Sequence, residues 1–327
     1  MFLATLVVLH HGLRIFPVGA FAVYAFFILS GYWVSRMYDG FYAKKKNAYG
    51  LFIYSRVLRL YPLYLLCVVI MLLVSKFIIF NHYHVSLTPA LGVKEYSFMG
   101  LLVPLNLLDF KLLNPAWSLA VEMQFYIIAP LIILLIRKVN TVLLFIIMLA
   151  ASVYFTFDKS YKFNETVLSY LVYFLIGMLI YFKSLKVSRQ LVLISVACIL
   201  AIVLFSYGIP SLRFALLYHQ ENSGGYNYYD LFNQVMPFFF IPFIIHNLSQ
   251  KSDKMDRHFG DFSYTLYLVH WIVFSIYYKA YTDGGITKEK LIGFGITMIV
   301  VVLLSLIIYY FFEKRVEAFR KKLIKSS

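Results

Sequence analysis

His10 and His11 close the apolar run LATLVVLHHG, and Glu122, His246 and His270 lie inside other apolar stretches. An ionisable side chain in hydrocarbon costs on the order of 2.5 kcal/mol or more unless it is paired or hydrated, so each needs a reason to be there. A neutral imidazole accepts a proton from a hydroxyl near physiological pH, its ordinary pKa being about 6.5. If the first helix begins just before Met1, His11 lies about 16 Å along it, close to the bilayer middle, while His10 points about 100° away around the helix. The spacing therefore favours His11 as a general base, against the alternative of a helix-to-helix hydrogen bond.

Arg56 and Arg59 stand three apart in SRVLRLYP, so on a helical turn both project to one face. Forked guanidiniums suit phosphate oxygens, which points to a phosphorylated donor such as an acyl-coenzyme A; the alternative is positive-inside anchoring beside a membrane span. Glu122, in NPAWSLAVEMQFY, falls about 7 Å inside the outward end of its helix, where it could orient a histidine, bind an acceptor hydroxyl or form a structural pair. The neighbouring Trp117 and Ser118 are candidate substrate contacts, although Trp117 also fits an interfacial anchor. His270, in GDFSYTLYLVHW, could line a cavity with Ser263 and Tyr264 or serve structure alone. His246 lies near a helix end and is assigned no function.

These groups must be positioned by helices in a bilayer. Of the 327 residues 62% are apolar and 14% charged, against roughly 45–50% and about 25% for soluble domains. The formal charge of +15 sits in short clusters between apolar runs rather than on one face, so the basic residues read as topology signals and not as a nucleic-acid surface. Cys67 and Cys198 fall in separate apolar runs, which indicates neither a disulfide framework nor a metal site.

The hydropathy pattern predicts an all-α, polytopic membrane bundle of about ten spans, near residues 1–13, 18–37, 60–80, 117–136, 139–157, 165–182, 190–209, 229–248, 259–281 and 288–312. The stretch Phe98 to Leu108 is too short to cross and reads as re-entrant or interfacial. Most Lys and Arg fall on one side of this arrangement, which predicts a multi-pass protein of the bacterial inner membrane with both termini cytoplasmic. Outward loops with His82, His84 and the run Glu221 to Tyr229, ENSGGYNYY, combine polar and aromatic side chains that suit either sugar contacts or the membrane interface. Residues 1–327 form a single transmembrane domain in this reading, with no soluble domain at either end. The run Met1 to Leu13 would cover about 20 Å, short of the roughly 30 Å core, so the chain is expected to be clipped at its start.

Taken in order, LATLVVLHHG, FFILSGYWV, SRVLRLYP, WSLAVEMQFYIIAP, GDFSYTLYLVH and YYFFEKRVE resemble the acyltransferase family 3 membrane enzymes over most of the chain. By that resemblance His11 matches the family's first-helix histidine, Arg56 and Arg59 its cytoplasmic arginine pair, and Glu122 the acidic position after its Trp-Ser pair. The family also carries an arginine before that histidine, with ten residues between them, a position that here falls immediately before Met1. The resemblance implies O-acylation, most often with acetyl, of an envelope polysaccharide or lipid-linked glycan, with acetyl-coenzyme A as donor and no permanently bound cofactor. Two other readings use the same residues. Intramembrane His and Glu also build transport or flippase pathways, and the fold could serve as a non-catalytic scaffold.

Overall fold

Within hydrocarbon every backbone N–H and C=O must be satisfied inside its own segment, and helices meet that demand locally. The computed structural model describes residues 1–13, 18–78, 113–157, 166–217, 228–277 and 288–326, and among them there is no strand. The helices are α1 (Phe2–Leu13), α2 (Gly19–Gly40), α3 (Ala48–Ile78), α4 (Trp117–Lys138), α5 (Thr141–Phe157) and α6 (Leu171–Phe182). They continue with α7 (Arg189–Gly208), α8 (Pro210–Leu217), α9 (Tyr228–Ser249), α10 (Lys254–Tyr277), α11 (Lys288–Ile308) and α12 (Lys314–Ser326). A π-helical turn, Tyr309–Glu313, joins α11 to α12. Polar caps mark two of the starts: the Asn140 side chain accepts the amides of Val142 and Leu143 ahead of α5, and Ser188 accepts that of Leu191 ahead of α7.

The expectation of about ten spans is met by six among the described residues. Gly19–Lys44, Ala48–Met71, Trp117–Lys138, Arg189–Gly208, Tyr228–Ser249 and Leu291–Lys325 are long and apolar enough to cross a bilayer. Phe2–Leu13, Thr141–Phe157 and Val167–Phe182 are apolar but shorter. The remaining candidate, α10, opens with Lys254, Asp256, Arg257 and Asp261, which dilute its apolar character. Two boundaries also move. α3 begins at Ala48 rather than near residue 60, and the last predicted span, which ends near residue 312, is followed by the helix α12. Phe98 to Leu108, His82, His84 and residues 221–227 of the tyrosine-rich run lie outside the described residues.

The chain divides into two compact units. One comprises Met1–Trp33 and Tyr173–Gly260, with Ile28, Phe174, Leu175, Met178 and Met236 at its core. There α2 and α6 approach closely because glycines meet backbone. A Cβ at Gly31 would fall on the Phe174 carbonyl, and one at Gly177 on the Ile28 carbonyl and the Tyr32 amide. Such small-residue contacts replace the hydrophobic drive that lipid cannot supply. In the same unit α7 packs on α9, fixed by the Ser195 hydroxyl donating to the Phe239 carbonyl, while Leu193, Leu204 and Phe205 of α7 stay exposed, as a lipid-facing helix requires.

The other unit comprises Val34–Val172 and Asp261–Ser327, with Phe52, Met71, Phe125, Ile133 and Leu266 fully buried. Here α3 packs against α4 and α12, and the Tyr264 hydroxyl of α10 donates to the Leu60 carbonyl at 2.8 Å.

Candidate functional site

In the second unit Arg59 projects from α3 into carboxylates that arrive from three later segments. Its Nη2 lies 3.3 Å from Asp261 Oδ1 of α10. Its Nη1 lies 3.9 Å from Glu313 Oε1 of the π-helical turn and 3.6 Å from Glu317 Oε2 of α12. The Thr265 hydroxyl donates to the other oxygen of Glu313. None of the three contacts to Arg59 is as short as a usual charge-assisted hydrogen bond, about 2.7–2.9 Å.

Arg56, one turn earlier, meets different partners. It is buried, its guanidinium carbon lies 5.3 Å from the centre of the Phe52 ring and 5.5 Å from that of Tyr126, and Nη2 donates to Met37 Sδ at 3.0 Å. Two arginines predicted to act together are thus held by two chemistries, aromatic faces for Arg56 and carboxylates for Arg59.

Tyr126 also connects Arg56 to Glu122. Its hydroxyl donates to Glu122 Oε1 at 2.5 Å from one turn away on α4, while its ring carries the guanidinium. The sequence reading put Arg56 and Glu122 toward opposite membrane faces. The structure places both on one tyrosine, because α3 starts twelve residues earlier than its apolar run and brings its first turns alongside the middle of α4, where the Tyr49 hydroxyl also donates to the Ile127 carbonyl.

The predicted substrate contacts gather around Tyr267. Ser118 Oγ lies 2.8 Å from the Tyr267 hydroxyl, and both hydroxyls reach the Pro115 carbonyl at 3.0 Å. The His270 ring, fully buried, is centred 6.0 Å from Tyr267 and meets Phe274 edge-on at 5.7 Å. Trp117 instead turns to Tyr170, with ring centres 5.6 Å apart.

The histidine pair belongs to the first unit, at the last turn of α1. His10 stacks on Tyr229 of α9 with ring centres 5.5 Å apart, and its Nε2 lies 3.2 Å from the Tyr229 hydroxyl. His11 meets His10 edge-on at 5.4 Å. The same Tyr229 oxygen accepts the Ala20 amide at 3.2 Å, and Asn233 Oδ1 accepts that of Phe21 at 2.7 Å. These amides belong to the first turn of α2, which has no intrahelical acceptors for them, so α9 caps α2 with the residue that holds the imidazole.

Residues 1–310 match the family model of an acyltransferase domain. The chain belongs to acyltransferase family 3. Its apolar helices and its family make it a membrane acyltransferase. No curated protein and no solved structure matches it.

Several groups that organise this acyltransferase escaped the sequence reading. Tyr126 and Asn233 are neutral and sit in aromatic-rich segments, where nothing in composition singles them out, and Tyr229 stood out only as the end of the run ENSGGYNYY, not as a partner of His10. Asp261 and Glu313 do carry a signal, being acids at the edges of apolar helices within GDFSYTLYLVH and YYFFEKRVE. Glu317 closes the segment YYFFEKRVE, but it and Arg320 lie on α12, beyond residue 310 where the family match ends.

Proposed function

We propose that this membrane acyltransferase carries an acyl group, acetyl in the simplest case, from coenzyme A on the cytoplasmic side of a bacterial inner membrane to a hydroxyl of a cell-envelope polysaccharide or lipid-linked glycan. The observation that carries the reading is the coincidence of an acyltransferase family match over residues 1–310 with paired imidazoles at the end of α1. His11 is the general base. Its ring nitrogen takes the proton of the acceptor hydroxyl, the oxygen attacks the thioester carbonyl, the C–S bond breaks, and the coenzyme A thiolate leaves and takes up the proton. His10, occupied by Tyr229, fixes the neighbouring ring. Arg56 and Arg59 receive the donor's phosphates, and Glu122, Trp117, Ser118 and His270 are the groups offered to the acceptor.

The test is the O-acetyl content of surface polysaccharide, measured by proton NMR, in a deletion strain complemented with wild-type or His11→Ala protein at matched expression. Loss on deletion with rescue by wild type alone supports the reading. Full acetylation with His11→Ala overturns the role of that imidazole, and unchanged acetylation on deletion overturns the acetyl-to-polysaccharide assignment.

A further inference from the structure

Arg59 belongs to a closed ring of side chains that the donor-binding role of the arginine pair does not account for. On α12, Arg320 grips Glu317 with two short bonds, Nε to Oε2 at 2.7 Å and Nη2 to Oε1 at 2.6 Å. The remaining arm of Arg320, Nη1, donates to Ser55 Oγ at 2.7 Å, and the Tyr42 hydroxyl donates to the same oxygen at 2.7 Å. Ser55 and Arg59 are one turn apart on α3, so they share a face. The ring then closes through space, with Glu317 Oε2 lying 3.6 Å from Arg59 Nη1.

The two arginines differ in how they are bound. Arg320 is buried and bidentate, a fixed geometry that spends its fork on one carboxylate and one hydroxyl. Arg59 is partly exposed, at 22%, and its three carboxylate contacts all run from 3.3 to 3.9 Å. Of the five N–H donors of its guanidinium, one is given to Asp261 Oδ1 in a long hydrogen bond, while the contacts to Glu313 and Glu317 orient it as ion pairs. Arg320 also offsets the charge of Glu317, so that carboxylate steers Arg59 with little net repulsion toward an approaching phosphate.

We infer that Glu317, held by Arg320, is a positioning residue that aims the Arg59 guanidinium at the phosphates of the acyl donor, so that α12 completes the donor site although it lies outside the family-matched segment. This rests on the reading of Arg59 as a donor contact. Removing the Glu317 charge leaves Arg59 in place but lets its head drift toward Asp261 and Glu313, which weakens donor binding without touching the acceptor or the imidazoles.

The experiment is calorimetric titration of coenzyme A into the purified full-length protein in detergent, for wild type, Arg59→Ala, Glu317→Gln, Glu317→Asp and the Arg59→Ala/Glu317→Gln pair. Arg59→Ala is expected to weaken binding by about tenfold and Glu317→Gln by about three- to fivefold, with Glu317→Asp recovering part of the loss. In the double variant Glu317→Gln adds nothing further, because its effect passes through Arg59; a merely structural role would add independently. If Arg59→Ala weakens binding while Glu317→Gln leaves it unchanged, tightens it or adds in full to Arg59→Ala, the positioning role is overturned and the donor reading stands. If Arg59→Ala itself leaves binding unchanged, the donor reading falls and takes the positioning role with it.

Discussion

Tyr229 holds His10 from 219 residues away, with its ring stacked on the imidazole and its hydroxyl 3.2 Å from Nε2. That hydroxyl also receives the Ala20 amide, so one oxygen ties the end of α1 to the start of α2. Tyr229→Phe keeps the stack and removes both polar contacts. The expected cost is about 1–2 kcal/mol of stability, read as a lower thermal midpoint in detergent, with partial loss of acyl transfer. His10→Ala is expected to show the same combination. His11→Ala should abolish transfer with the thermal midpoint unchanged, and the reverse assignment would appear as a null phenotype confined to His10→Ala.

Gly31 and Gly177 let α2 and α6 touch backbone to backbone. A methyl group at either position meets carbonyl oxygen rather than a side chain that could rotate away. Gly31→Ala and Gly177→Ala should therefore each lower stability by about 1–3 kcal/mol, the range for forced overpacking. Size-exclusion profiles and thermal midpoints in detergent check this. Gly40→Ala, where nothing stands within 4 Å of the new Cβ, is the matched control and should behave as wild type.

Arg56, Tyr126 and Glu122 separate by substitution because Tyr126 serves them with different parts. Tyr126→Phe keeps the ring under the Arg56 guanidinium but removes the hydroxyl that donates to Glu122, an expected loss of about 1–3 kcal/mol. Arg56→Lys keeps the charge but loses the planar fork that lies over Phe52 and Tyr126, an expected loss of about 0.5–2 kcal/mol. If the donor's phosphates also depend on Arg56, coenzyme A affinity falls with Arg56→Lys and not with Tyr126→Phe, and calorimetry distinguishes the two.

How much of this was legible depended on range. Each of the ten predicted apolar segments overlaps a helix, because hydropathy is a local property. The start of α3 was misplaced because Ser55, Arg56 and Arg59 interrupt its apolar run. They are helical nonetheless because their partners come from far along the chain, 265 residues away for Ser55 with Arg320 and 202 for Arg59 with Asp261. The same blindness ended the last predicted span near residue 312: the buried Arg320 and the exposed Lys322 look alike until α3 is packed beside one of them. Motif spacing brought Arg56, Arg59 and the His10–His11 doublet into view. It had no means of showing that Arg59 faces three acids or that Tyr229 selects His10.

Ser118 and Tyr267 pose a counting problem with a measurable answer. Their two hydroxyls carry one proton each, and the Pro115 carbonyl lies 3.0 Å from both oxygens, which are 2.8 Å apart. One proton can serve the carbonyl and the other the hydroxyl pair, so either residue alone can still satisfy Pro115. Ser118→Ala and Tyr267→Phe should each cost less than about 1 kcal/mol, while the double variant should exceed their sum by about 1 kcal/mol, because it strips the carbonyl of both donors. A double-mutant cycle on thermal stability in detergent checks the coupling. Acyl transfer by Ser118→Ala decides the second question: retention at near wild-type level makes the Ser118 hydroxyl a structural partner of Tyr267, whereas loss of transfer with stability intact makes it a contact to the acceptor.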